Sequence, residues 1–186
     1  MDTVSFTRMD EGTEEEYQFL EGLWTSHKNE TLVDNLLGLL DLMRGPTLGY
    51  QVDRYEHSLQ TATRAHRDGA DEEMVVAALL HDIGDVVAPD NHSAIAAAAL
   101  RPYVSEDTYW IILHHGIFQG YYFWHHLGED RNARERYRDH PLFEACANFC
   151  ERWDQMAFDP NYDSMPIAAF EPMVRRIFAR EPRIGH

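Results

Sequence analysis

The chain has 186 residues, of which 44% are hydrophobic and 26% are charged, and this ordinary globular composition excludes disorder over the whole length. Its 16 basic and 32 acidic residues give a formal net charge of −16, so nucleic acids and anionic membrane surfaces are not expected as partners. No apolar run approaches the roughly 20 residues that cross a bilayer, and the first residues lack the basic and apolar regions of a secretory signal.

Two helices are predicted in the first quarter of the chain. Thr13 precedes Glu16 by three positions, which is the pattern of a capping box and predicts a helix that continues to about His27. Residues 32–43 then place leucine and methionine at helical spacing, which predicts a separate amphipathic helix. The Gly-Pro pair at 45–46 is expected to end it.

The remainder of the chain is also predicted to form helices. Residues 54–68 predict one with Gly69 as its C-terminal cap, and another begins near Asp71 and is apolar on all sides. Further helices are predicted at 93–101, 105–115, 120–128, 141–156 and 166–179, with Pro141 and Pro166 in first turns. Because no convincing alternating strand is present, the predicted fold class is all-α, with a flexible N-terminus over 1–12 and one domain over 13–180.

Two pairs of neighbouring residues each have a structural and a functional interpretation. Cys146 and Cys150 are too few for a disulfide framework, so we expect two small side chains on one helix face and a cytoplasmic location. Arg175 and Arg176 are able to clamp a carboxylate or phosphate. In so acidic a chain they are equally able to form ion pairs or to cap a helix end.

The histidines and aspartates carry the functional signal. His81 and Asp82 end a very apolar helix, and burial of a carboxylate beside an imidazole is costly unless a partner is present. A metal ion is the simplest partner, although a structural hydrogen bond also explains one His-Asp pair. Further candidates lie in or beside separate helices, which a helical bundle can direct to one interior point: His57, His92, His114, His115 and Asp154. For His92 an N-cap or surface role stays open, as does a buried structural role for Asp154.

These residues resemble the signature of a known superfamily. His57, His81-Asp82 and Asp154 look like the metal-binding set of HD-domain proteins, and His92 with His115 resembles the subset that holds two metals. The stretch YEHSLQTATRAHRDGADEEMVVAALLHDIGD is similar to the organophosphonate dioxygenase branch. That branch and the related myo-inositol oxygenase are mixed-valent diiron oxygenases. The likeness is close over residues 50–86 and extends as a pattern to about residue 156.

The resemblance implies an HD-type helical bundle with a dinuclear site for two Fe ions, mixed-valent Fe(II)/Fe(III), with Mn or Zn as alternatives. By position, one iron is bound by His57, His81, Asp82 and Asp154, and the second by Asp82, His92 and His115. His114 is the alternative to His115.

The sequence departs from the phosphonate-cleaving members near the first histidine. Thr47 and Tyr50 stand where those enzymes carry a tyrosine and a glutamate, and Asp85 and Gln119 stand where they contact a phosphonate. Tyr50 is nevertheless a candidate for a related role from a shifted position. These differences bear on the substrate and leave the expected metal ligands unchanged.

An aromatic segment follows the last of the central histidines. Residues 118–126 contain Phe, Tyr, Trp and two histidines, which is typical either of a core layer or of a pocket wall. If it is a wall, Gln119, Tyr121 and His125 are candidates to contact a polar substrate. Together with Tyr50 they form the predicted catalytic set.

Three functions are compared. The first is a diiron oxygenase that uses O2 to oxidise or cleave a small hydroxylated substrate, including a phosphonate-like one. The second is a metal-dependent phosphohydrolase acting on a nucleotide or phosphate ester, for which nearby basic residues are expected; the only lysine, Lys28, is distant from the motif. The third is a domain without activity, which the complete ligand set disfavours. The oligomeric state is not predicted.

Overall fold

Every regular element that the computed structural model describes is helical, and the described residues are 2–183. The α-helices are α1 (Glu14–Leu42), α2 (Arg54–Arg67), α3 (Glu72–Leu80), α4 (His92–Leu100), α5 (Glu106–Phe123), α6 (Phe143–Phe149) and α7 (Ile167–Phe178). Short 3₁₀ helices lie at Met9–Glu11, Ile83–Val86, Pro89–Asn91, Trp124–Leu127 and Ala133–Tyr137, and a π-helical turn at Cys150–Asp154. The predicted all-α class and single-domain helical bundle are confirmed.

Helix α1 begins as predicted but does not break. The backbone N–H of Glu16 donates to Thr13 Oγ1 at 3.3 Å, and the Thr13 N–H donates to Glu16 Oε2 at 3.0 Å, which completes the capping box. The predicted break after His27 is wrong, because residues 28–31, between the two predicted helices, include no glycine or proline to stop the helix. Leu36 and Leu40 in its C-terminal half are buried in the core.

The described part of the N-terminal segment contacts the first turns of α1. The Ser5 N–H donates to Glu16 Oε1 at 2.6 Å, and the ring of Phe6 lies 5.3 Å from that of Tyr17. Met1 and residues 184–186 lie outside the described range. The flexibility predicted for residues 1–12 stays a prediction.

Helices α2 and α3 pack directly on each other in the centre of the molecule. Asp53 caps α2 by accepting a hydrogen bond from the Glu56 N–H at 2.8 Å. Gly69 follows the helix with φ of +79°, which confirms its predicted place at the C-terminus. In α3 every residue from Val75 to Leu80 is buried, in agreement with its apolar sequence.

Helix α5 is longer than predicted. It was expected to end near His115 and to be followed by a separate helix at 120–128, but it continues to Phe123. Two glycines lie within α5 at positions where neighbouring groups come too close to leave room for a side chain. A Cβ at Gly116 would lie 2.8 Å from Ser93 Oγ, and one at Gly120 would lie 2.3 Å from the ring of Trp124. These glycines are therefore packing positions and do not end the helix.

The predicted helix at 141–156 is divided in the structure. Pro141 lies ahead of α6, which starts at Phe143, and the π-helical turn begins immediately after Phe149. Pro166 is the N-cap of α7 and not a first-turn residue. The two cysteines are buried free thiols, as expected.

The arginine pair of α7 forms ion pairs on the surface. Arg175 lies 2.8 Å from an Asp34 oxygen and 2.7 Å from a Glu171 oxygen, and Arg176 lies 2.7 Å from Glu72. Both arginine side chains are therefore engaged in surface ion pairs, which matches the ion-pair interpretation. Within residues 2–183, no helix is both long and apolar enough to cross a membrane.

Candidate metal centre

Six histidine and aspartate side chains converge where five segments of the bundle meet. Five of them are buried, and His92 is about one-quarter exposed. The six are His57 from α2, His81 and Asp82 directly after α3, His92 at the start of α4, His115 from α5 and Asp154 from the π-helical turn.

The π-helical turn sets the position of Asp154. The Gln155 N–H donates to the Cys150 carbonyl five residues earlier, at 3.0 Å, where an α-helix would bond four residues back. This wider turn changes the direction of the side chains that follow, and Asp154 is 2% exposed. Such turns are frequent at functional sites.

A glycine sets the position of His92. A Cβ at Gly84 would lie 2.3 Å from the backbone oxygen of His92 and 2.6 Å from its Cα. Because those atoms belong to backbone, no side-chain rotation would relieve the clash. Gly84 therefore allows the turn after Asp82 to touch the start of α4.

One group of atoms forms around His57. Its Nε2 lies 3.2 Å from His81 Nε2 and 3.2 Å from Asp154 Oδ1, and His81 Nε2 lies 3.7 Å from the same oxygen. His57, His81 and Asp154 thus offer ligand atoms all within 4.8 Å of one another. That spacing suits a single ion.

Asp82 lies between this group and a second pair of histidines. Its Oδ2 is 3.4 Å from the Nε2 atoms of His57 and His81. Its Oδ1 is 3.2 Å from His115 Nε2 and 3.5 Å from His92 Nε2. Each carboxylate oxygen therefore points toward a different histidine pair, which is the arrangement of a bridging ligand.

Each of the four imidazoles is held by its other ring nitrogen. The Nδ1 atoms lie 2.7–3.0 Å from backbone carbonyl oxygens, and because a carbonyl only accepts, each Nδ1 carries the proton. The partners are Ala157 for His57, Ala78 for His81, Pro89 for His92 and Ile112 for His115. In the neutral imidazole this leaves the Nε2 lone pair free for a metal, the usual support of a metal-binding histidine.

The electrostatics of the centre require positive charge. Burial lowers the pKa of His57, but hydrogen bonding to the Asp154 and Asp82 carboxylates outweighs it and raises that pKa to about 9. Burial raises the pKa of Asp154, yet hydrogen bonds from His57 and His81 hold it below its usual range. The carboxylates thus stay ionised, and either protons on the imidazoles or metal ions supply the compensating charge.

The donor set fits a metal better than protons alone. Asp154 Oδ2 is buried and has no hydrogen-bond partner among the described residues, an expensive state for a carboxylate oxygen. If both rings were neutral, His57 and His81 would also face each other through Nε2 lone pairs that repel. A cation between them would relieve both. Imidazole and carboxylate together suit Fe, Mn, Co or Zn.

A cavity of about 320 Å³ opens from the centre toward solvent. Asp82, His92, His115 and Asp154 form its inner end. Its other lining residues are mostly aromatic or amide: Tyr50, Arg54, Gly116, Gln119, Tyr122, Phe123, Gln155 and Phe158. The centre thus has room for a small molecule beside it.

The structure brings some predicted catalytic residues to this cavity and leaves others outside its lining. Tyr50 stacks on Phe158 at 5.0 Å, and Gln119 donates from Nε2 to Asp154 Oδ1 at 3.2 Å. Tyr121 instead lies under the guanidinium of Arg134 at 3.7 Å. His125 is exposed and contacts the ring of His126 at 3.9 Å. The catalytic roles of all four stay predictions.

His115 and not His114 reaches the centre. His114 stacks on Trp110 at 4.2 Å and its Nδ1–H donates to the Trp110 carbonyl at 2.8 Å. Its pKa is lowered by burial. The two adjacent histidines therefore have different surroundings, although their assignment as ligand or non-ligand stays a prediction.

Arg54 and Phe158 are among the lining residues that were not identified from the sequence. Arg54 lies one helical turn before His57 on the same face of α2, so helical spacing was a usable signal. Phe158 stacks on His57 at 4.5 Å but comes from an irregular segment after Asp154. No periodicity pointed to it.

No curated protein matches the chain. A comparison with protein families does find a match, and it agrees with this geometry. The family model described as HD domain matches residues 54–155, which include all six converging side chains and more than half of the 186 residues. Proteins with this domain are generally metal-dependent enzymes. The chain belongs to the HD domain family.

Proposed function

We propose that this chain is a cytoplasmic nonhaem diiron oxygenase that uses O2 to oxidise or cleave a small hydroxylated molecule. His57, His81, Asp82 and Asp154 would hold one iron, and Asp82, His92 and His115 the other. The buried free thiols suit a reducing compartment.

One observation carries the two-metal part of the proposal. The two oxygens of Asp82 face different histidine pairs at 3.2–3.5 Å. A carboxylate in that position lets two cations lie close together with reduced repulsion. The choice of iron and O2 is supported by the resemblance over residues 50–86.

The protein would orient the metal-binding imidazoles and shape the substrate cavity. Bound irons would supply the positions at which a substrate hydroxyl and O2 are activated. Four backbone carbonyls fix the imidazoles through Nδ1, so no reorganisation is needed when metals bind. Tyr122, Phe123 and Phe158 line the cavity with aromatic rings.

Gln119 has a second feature that suits a hydroxylated substrate. Its Nε2 donates to Asp154, which only accepts, so the amide orientation is fixed. Its Oε1 is buried and has no partner among the described residues. A substrate O–H would satisfy this acceptor, while Tyr50 offers a phenolic OH from the other wall.

A phosphohydrolase is the second candidate, and a specific observation favours it. Arg54 lines the cavity, and a basic side chain beside a two-metal site stabilises charge on a phosphoryl group. In that case the metals would be redox-silent and would supply charge stabilisation for hydrolysis, with Arg54 beside the phosphoryl group.

The two candidates are distinguished by the metals that the protein retains. We would purify it without oxygen, measure metal content, oxidise it partly and record electron paramagnetic resonance spectra. Two irons per chain with the signal of a coupled mixed-valent pair are expected. One metal, or two zinc or manganese ions, would instead support the phosphohydrolase, and protein without bound metal would contradict both.

A further inference from the structure

A second cavity, here called the outer cavity, adjoins the one that opens from the metal centre. Its volume is about 440 Å³, which is within the range of ligand pockets. Tyr50, Arg54 and His92 line both cavities, so the two spaces share a boundary. A molecule at the metal centre that is too long for the inner cavity would therefore extend into the outer one.

The wall of the outer cavity is mainly apolar. Its apolar side chains come from the end of α1, the loop that follows it and the 3₁₀ turns after Asp82: Leu42, Met43, Pro46, Leu48, Val86 and Pro89. Leu42 is 68% exposed and Leu48 is 80% exposed. A single exposed leucine is ordinary, but these two come from different segments and border one cavity. A contiguous apolar surface of this kind is typical of a binding site.

The charged side chains of the same wall do not favour an anionic ligand. Arg44 Nε donates to Asp41 at 2.5 Å, and Arg54 Nε donates to Asp85 Oδ2 at 2.9 Å. Asp90, which also lines the outer cavity, is exposed to solvent. Because both arginines are engaged with carboxylates and a further carboxylate lies at the rim, the wall suits an uncharged hydrocarbon group best.

The turn that presents Leu48 has an unfavourable backbone conformation. The Tyr50 N–H donates to the Thr47 carbonyl at 3.0 Å, so Leu48 and Gly49 are the two central residues, with φ of +52° and +94°. Within residues 2–183, Leu48 is the one non-glycine residue with a positive φ. Glycine, asparagine and aspartate are typical of such positions, where a leucine is strained. Strained residues cluster at ligand-binding sites.

Aromatic contacts connect this turn to the metal centre. Tyr50 lies two residues after Leu48, and its ring stacks on that of Phe158 at 5.0 Å. Phe158 in turn stacks on His57 at 4.5 Å. The turn is thus placed against the centre by packed rings, and Leu48 has a defined position relative to it.

We propose that the outer cavity binds an apolar tail of the substrate, so that the molecule held at the metal centre is an amphiphile with a hydroxylated head and an uncharged aliphatic chain. This inference rests on the proposed function, because the metals hold the head while Leu42 and Leu48 cover the tail. Contact with the tail also removes the two leucines from water, which is favourable in proportion to the apolar area that is buried.

Alkyl hydroxamates test this binding without turnover, because their two oxygens chelate a metal and their chain length is variable. Full-length protein loaded with Mn²⁺ would be titrated in a calorimeter with aceto-, butano-, hexano- and octanohydroxamate. Burial of each added methylene predicts about 2- to 4-fold tighter binding. An affinity that does not rise with chain length would overturn the proposal.

Two variants locate the tail. Leu48→Asn removes the apolar side chain and introduces a residue that tolerates a positive φ, and Leu42→Gln keeps a good helix former at the end of α1. Each should bind hexanohydroxamate about 3- to 10-fold more weakly than wild type and acetohydroxamate equally well. If neither variant weakens hexanohydroxamate selectively, the proposal is overturned, because the leucines would then not contact the chain.

Leu127→Asn is the matched control, since Leu127 is 67% exposed but lines neither cavity. Its hexanohydroxamate affinity should equal that of wild type, and a loss as large as that of Leu48→Asn would indicate nonspecific adsorption and overturn the proposal.

A separate arm distinguishes failure of the proposed function from failure of this inference. If wild type binds neither metal nor acetohydroxamate, the proposed function fails. The outer cavity is then tested with 1-hexanol on metal-free protein. Weaker binding to Leu48→Asn than to Leu127→Asn would support the apolar site, and equal binding would overturn it.

Discussion

At the scale of single residues, Asp82 is the side chain on which both proposed metal positions depend. It is buried and its two oxygens face separate histidine pairs. We expect Asp82→Ala to lose both metals. Removal of a ligand that serves only one metal position should weaken binding at that position alone. Metal analysis after desalting checks this outcome, with the exposed Asp90→Ala as the control that keeps both ions. Wild-type metal content in Asp82→Ala would show that the ligands are assigned wrongly.

How far residues could be predicted depended on their local context. His81-Asp82 was recognisable because an apolar helix leads directly into two polar residues that must be buried. Arg54 was overlooked because a surface arginine on a helix is ordinary, and its burial against Asp85 arises from packing across 31 residues. Tyr121 and His125 were selected by proximity to His115 in sequence, but the end of α5 directs them away from the cavity lining.

At the scale of elements, the contact between the turn after α3 and the start of α4 controls His92. Gly84→Ala would place a Cβ 2.3 Å from the His92 oxygen, so the two backbones must separate. We expect a loss of about 1–3 kcal/mol in the free energy of unfolding and weaker binding of the second metal. Denaturant unfolding and Mn²⁺ titration measure the two effects.

A helical glycine with open surroundings is the matched control for that variant. A Cβ at Gly38 in α1 meets nothing within 4 Å, so Gly38→Ala should stabilise the protein by about 0.5–1 kcal/mol. Equal effects of the two substitutions would contradict the importance of the close approach.

Glu73 links α3 to the start of α5 and to the segment that follows α7. Its Oε1 accepts hydrogen bonds from the Ser105 N–H at 2.7 Å and the Thr108 hydroxyl at 2.9 Å, and its Oε2 accepts one from Arg180. Burial raises the pKa of Glu73, but these hydrogen bonds outweigh it and lower the pKa to about 2. The carboxylate is therefore needed in its ionised form.

The sign of the pH dependence follows from that shift. A folded-state pKa below the ordinary value of 4.5 gives a stabilisation that is complete above pH 4.5 and is lost as the pH falls toward 2. We expect Glu73→Gln to cost about 1–2 kcal/mol of unfolding free energy at pH 7, and this difference should shrink over that interval. Urea unfolding at several pH values checks it, with exposed Glu129→Gln as control. A constant difference would argue against the ionised contact.

Element boundaries were predicted well where the signal is local. The capping box at Thr13 and the cap at Gly69 were confirmed, because each is decided by a few neighbouring residues. The length of α5 and the π-helical turn were missed. Gly116 and Gly120 stay helical because partner side chains come close, and the wide turn before Asp154 is fixed by the bundle around it.

At the scale of the whole molecule, the proposed ligands come from five segments, so metal binding would be coupled to folding. An unfolded chain has no such constellation, so ions that bind only the folded state add stability. At a free Mn²⁺ concentration 100-fold above the dissociation constant, we expect a gain of about 2.7 kcal/mol per site in the free energy of unfolding. Urea unfolding with and without Mn²⁺ measures it, and Asp82→Ala should show no gain. An unchanged wild type would contradict the coupling.

The global architecture was the most predictable level. Helical periodicity without alternating strands predicted the all-α class. The helix-length intervals between His57, His81-Asp82 and Asp154 predicted that these side chains meet in the interior of the bundle. Both follow from rules that act along the whole chain. The cavity was not predictable in the same way, since Phe158 and Tyr50 meet only after α2 packs against the segment that follows the π-helical turn.

The most direct test of a two-metal centre is anomalous X-ray diffraction from crystals grown with the metal that the protein retains. Two anomalous peaks are predicted, one among His57, His81 and Asp154 and one beside His92 and His115, with Asp82 between them. A single peak, or peaks away from Asp82, would contradict the account.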